Sequence, residues 1–125
     1  MLTEDDKKNI LHGLLEVVQW ISDKTYQQKA WIYGTSPGTD FDETVNYFFC
    51  DADGILEKHQ DFMLSDKQYV ILKSFTNQFR IFSDNHYWPS DFIDTPEWDE
   101  ITKMAKEVLR AFHYGSDKSE DAAQP

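Results

Sequence analysis

The sequence predicts an all-α fold, a compact single-domain bundle of about five helices. Three observations predict it. Apolar residues recur at helical spacing in successive segments, and strand alternation does not fit the strongest of them. Helix-start signatures precede those segments. And 125 residues make one domain, which can bury about two thirds of its unfolded surface without a metal or a disulfide.

The elements come in order. Thr3 caps a first helix, with Asp6 three residues on as a capping-box partner; Ile10, Leu11, Leu14, Leu15, Val17, Val18 and Ile21 form its stripe. Ser22-Asp23 breaks it. A second helix runs over about 24–33, ended by Gly34 and the turn-like composition after it, although its AWIY run also suits a short strand. Asp40 with Glu43 starts the third, whose face is Phe41, Val45, Phe48, Ala52 and Ile55, with Gly54 weakening or ending it. Ser65 with Gln68 starts the fourth, with Leu72, Phe75, Phe79 and Phe82 spaced 3, 4, 3. Thr95 and Pro96 open the last helix, as N-cap and first helical residue. Its buried face is Trp98, Ile101, Ala105, Val108 and Phe112, with Met104 and Leu109 alongside; Glu97, Asp99 and Glu100 lie at the positive end of its dipole, and Gly115 closes it. Residues 1–115 form the helical domain, and 116–125 form a polar, disordered tail.

Charge is unevenly placed. The chain carries 23 acidic and 12 basic side chains, a formal −11. Residues 35–62 hold −6 and residues 84–100 hold another −6, while the rest sums to +1. Both acidic stretches are rich in aromatic residues: Phe41, Tyr47, Phe48, Phe49 and Phe62 in one, Tyr87, Trp88, Phe92 and Trp98 in the other. Acids beside aromatics suit a surface that steers a basic partner in and then holds it. The same acidity excludes direct binding to nucleic acid or anionic lipid. No apolar run approaches a membrane span, and the N-terminal residues lack the pattern of a secretory signal. With a single cysteine, Cys50, no internal disulfide forms, which points to a reducing, cytoplasmic setting.

Few residues suggest chemistry. Asp51-Ala-Asp53-Gly54 matches part of a calcium loop, but with Gly54 at position six, Phe49 falls at position one and Gln60 at position twelve, where acids are needed. None of His12, His59, His86 and His113 has a His or Cys at zinc-ligand spacing. No cofactor motif, metal site or catalytic set is expected. Cys50 reads as a buried structural thiol, and Trp20, Trp31 and Trp98 as core. The candidate partner-binding residues are Asp84, His86, Tyr87, Trp88, Asp91 and Asp94, joined by Asp51 and Asp53. Trp88 precedes Pro89 outside any periodic stripe, so it either packs beneath its loop or faces a partner.

The stretches NYFFCDADGILEKH (46–59) and YWPSDFIDTPEWDEITKMAKEVL (87–109), in a small, strongly acidic chain, resemble the helical immunity proteins of contact-dependent growth inhibition and other polymorphic toxin systems. The resemblance implies an inhibitor of one cognate basic toxin domain, often a nuclease, bound as a monomer in a 1:1 complex, and it transfers no catalytic residues. Two alternatives remain: a DNA-mimic inhibitor of a nucleic-acid-binding protein, and a small enzyme using His86 with Asp84 or Asp91.

Overall fold

The computed structural model describes residues 2–34 and 40–114. Every regular element among them is helical: α1 (Glu4–Ser22), α2 (Lys24–Gln27) running into a π-helical segment (Gln28–Tyr33), α3 (Phe41–Glu57), α4 (Asp66–Asn85), α5 (Pro89–Phe92) and α6 (Pro96–Ala111). The turn at 35–38, the closing Gly115 and the tail 116–125 lie outside the described residues.

The expected helix starts form as their chemistry requires. Thr3, Asp40 and Ser65 each accept from the backbone N–H three residues on, and Asp6, Glu43 and Gln68 reach back to the cap. Two of the otherwise unsatisfied N–H groups are bonded at each of these starts. Thr95 accepts from Trp98 N, and Pro96 occupies N1.

Four long helices alternate in direction. α6 runs antiparallel to α1: the Trp98 indole at its start bonds Gln27 just beyond α1, and Tyr114 past its end meets His12. α6 also runs antiparallel to α4, since Gln68 donates to Ala111 O at one end and Phe82 packs on Trp98 at the other. α3 lies between α1 and α4, antiparallel to both; His59 beyond its end packs on Tyr69 in the first turn of α4. The result is an up-down-up-down bundle. The π segment and α5, which rest on each other, close one end.

Inside, the expected stripes meet. Trp98, Phe48, Phe75, Phe79 and Phe92 are all but fully buried, with Leu14, Ile21, Ile55, Leu72 and Leu109 around them. Gln27 is the polar exception. Its amide donates to Trp20 O at 2.9 Å and Ile21 O at 2.8 Å, and its Oε1 accepts from Trp98 Nε1 at 2.9 Å. A fully buried amide is tolerated because these partners replace its water.

Several expectations need correction. Cys50 is exposed, not buried. The inner face of α3 runs Phe41, Thr44, Phe48, Ala52, Ile55, and two residues past Phe48 the helix has turned about 200° toward solvent. Gly54 does not end α3, which continues to Glu57. Phe112 is half-buried, and Leu109 takes the interior place. Trp20 and Trp31 pack at the edge of the core rather than within it. AWIY is π-helix, not strand, and ends at Gly34 in the left-handed region (φ 63°).

Candidate acidic-aromatic surface

The C-terminus of α4 builds the corner that carries the candidate residues. Its last turn holds no Lys or Arg, and its carbonyls are met by polar side chains. Asn85 Nδ2 donates to Ile81 O at 2.8 Å, His86 Nδ1 lies 2.9 Å from Phe82 O, and the Tyr87 hydroxyl donates to Asp84 O at 3.1 Å. A carbonyl only accepts, so His86 carries its proton on Nδ1. The His86 ring stacks flat on Phe82, centroids 4.0 Å apart, and stands edge-on to Phe92. His86 is thus a helix cap wedged against the core, and its Nδ1 is bonded to the end of α4 rather than to Asp84 or Asp91.

The capped turn sets the course of the chain beyond it. Tyr87 and Trp88 point outward, 67% and 70% exposed. Trp88 is the N-cap of α5, with Pro89 in the first turn, and Asp91 N donates back to Trp88 O at 2.9 Å. Asp84 and Asp91 are exposed, and among the described residues neither has an ion pair. Phe92 and Ile93 turn inward. Asp84, Tyr87, Trp88 and Asp91 therefore form one outward corner on a capped helix end.

The other candidates part from it. Asp94 binds Lys24 Nζ at 2.8 Å, tying α2 to the α5–α6 link, and this hydrogen bond raises the lysine's pKa. Asp53 is bound to Arg80 Nη2 at 2.7 Å, with the guanidinium 4.2 Å over the Phe49 ring. Asp51 lies on the α1 side of α3, its Oδ2 3.8 Å from where a Cβ on Gly13 would stand, and burial raises its carboxyl pKa. The structure does not bring Asp51 to the 84–91 corner, and Asp53 is already neutralised by Arg80.

Topology supplies other acids instead. Antiparallel alternation puts the starts of α3 and α6 at the same end as the finish of α4. Residues 19–34, 40–44 and 82–100 hold ten carboxylates against Lys24 and Lys29, a net −8. The opposite end, residues 2–8, 55–68 and 107–114, nets −2. Asp42, Glu43 and the exposed Tyr33 thus belong with the candidate end, as does Ile81 one turn before Asp84. Helix direction was the missing signal: capping acids of alternate helices collect at one end only once the up-down order is known.

Elsewhere, a groove of about 560 Å³ between α1 and α6 mixes Lys24, Lys106 and Arg110 with Asp23 and Asp99, so it offers no single charge. Among the described residues no three His, Cys, Asp or Glu side chains gather as a metal site, and no helix is long and apolar enough to cross a membrane. No family model, curated protein or solved structure matches the chain.

Proposed function

We propose that this chain is a binding protein of the toxin-immunity type, which captures a cognate basic toxin domain with the acidic end of its bundle. One observation carries the reading. Two large aromatic side chains stand 67% and 70% exposed, beside carboxylates that have no ion pair among the described residues, on backbone held by three side-chain caps. Exposed Tyr and Trp rings are costly to hydration, whereas in an interface such residues are the common anchors. The −8 end supplies the long-range attraction that speeds encounter with a basic cleft such as a nuclease's. Because charge concentrates at one end, a DNA mimic with phosphate-like rows along its length fits less well. The enzyme alternative has less support, since His86 Nδ1 is bonded to Phe82 O rather than to Asp84 or Asp91.

The test is co-expression with the cognate toxin domain in sensitive cells, with light scattering of the purified pair. Growth rescue and a 1:1 complex are expected, both weakened by Trp88→Ala in a variant that keeps its helical circular dichroism. Rescue that survives Trp88→Ala and Asp84→Lys/Asp91→Lys alike places the interface elsewhere. No complex at all ends the immunity reading.

A further inference from the structure

We infer that the partner presents an arginine, rather than a lysine, to the corner formed by Tyr87, Trp88, Asp84 and Asp91. This deepens the binding reading above and rests on it. The molecule already contains the pattern once. The Arg80 Cζ lies over the Phe49 ring, 4.2 Å from its centroid, and Nη2 reaches the Asp53 carboxylate at 2.7 Å, so one aromatic face and one carboxylate share a single guanidinium. The 84–91 corner repeats those parts twice over, with two rings and two carboxylates, and no internal arginine uses them. The chain's other arginine, Arg110, lies at the opposite end of α6.

The chemistry favours arginine for a physical reason. A guanidinium is planar and weakly hydrated, so it stacks on a ring and still directs N–H groups edgewise to a carboxylate. An ammonium is compact and keeps its water. Lys73 sits 5.5 Å from the Tyr69 centroid, farther than Arg80 from Phe49, and has no ion pair among the described residues. Geometry brings the needed groups together at the corner. The Tyr87 hydroxyl is bonded to the Asp84 backbone carbonyl, and the Asp91 backbone N–H to that of Trp88, so the backbone of each acid is tied to a residue that carries one of the rings.

The experiment titrates the full chain with blocked tetra-arginine and tetra-lysine peptides at low salt. The readouts are the Trp88 indole N–H resonance, assigned with Trp88→Phe, and the peptide affinity. Tetra-arginine should move that resonance and bind about fivefold or more tighter than tetra-lysine, the ratio expected from about 1 kcal/mol of stacking. Asp84→Asn/Asp91→Asn should weaken both peptides, and Trp88→Ala should remove the arginine preference. Equal affinities, with the resonance moving for both, overturn the arginine inference and leave the basic-partner reading standing. A Trp88 resonance that neither peptide moves also overturns it, and the toxin rescue assay then decides the broader reading by itself.

Discussion

Met63 and His113 hold left-handed backbone, φ 58° and 54°, without being glycine. Each closes a Schellman motif: Leu64 N and Met63 N donate to His59 O and Gln60 O, and Tyr114 N and His113 N to Leu109 O and Arg110 O. Met63 is 82% exposed, so its side chain does little to offset the strain. Met63→Gly should relieve about 1–2 kcal/mol of left-handed cost and lose about half of that to unfolded-state entropy, a net gain measurable in thermal unfolding. A destabilised variant would mean the turn differs in solution. Gln27 is the opposite case. Gln27→Leu keeps the volume but strands the Trp98 indole N–H, and should cost about 3 kcal/mol in urea unfolding; a neutral result would refute the buried hydrogen bonds. Asp51 has a pKa raised by burial. An acid raised in the folded state favours folding below its ordinary range and loses that as pH rises through its folded pKa. Asp51→Asn should therefore stabilise at pH 7, with the gain shrinking as pH falls through the raised folded pKa and gone below about pH 4.

At the scale of elements, the segment from Lys24 to Tyr33 is the weak point. Its π-helical part contributes no buried residue, and the Trp31 indole N–H is buried without an acceptor among the described residues. Few buried contacts make early local opening the expectation, so amides 28–33 should exchange before those of α3, α4 or α6. Two matched substitutions probe the indoles. Trp31→Phe deletes an orphaned donor, whereas Trp98→Phe strands Gln27 Oε1. The second should cost about 2 kcal/mol more than the first; equal costs would contradict the assignment. The long helices were legible because caps and stripes are local: Thr3/Asp6, Asp40/Glu43, Ser65/Gln68 and Thr95–Pro96 each mark an observed start. α5 was not, because four residues are too few to show a period, and Pro89 reads equally as a break or as N1. The π segment was missed because its identity depends on which carbonyl each N–H reaches, a choice that the packing of Trp31 against Phe41 and Trp98 decides.

For the whole molecule, the 84–91 half of the candidate surface was readable in sequence, since Tyr87 and Trp88 stand outside any helical stripe. Its partition was not. Asp51 and Asp53 looked contiguous with it by charge alone, yet they point to α1 and to Arg80, while Asp42 and Glu43 join it through helix direction. The arrangement sets stability against binding. Asp84 lies at the negative end of the α4 dipole, within an end of net −8. Removing that repulsion should stabilise the fold, so Asp84→Lys is expected to raise stability by about 0.3–1 kcal/mol at low salt. The same change should impair the proposed activity. The decisive measurement is the association rate of Asp84→Lys/Asp91→Lys with the basic toxin domain at low and at physiological salt, beside the unmodified chain. Slower association is expected at low salt, with most of the difference screened as the Debye length falls to about 8 Å, in a variant at least as stable as the original. Unchanged association at both salts would mean that this end of the bundle does not meet the partner.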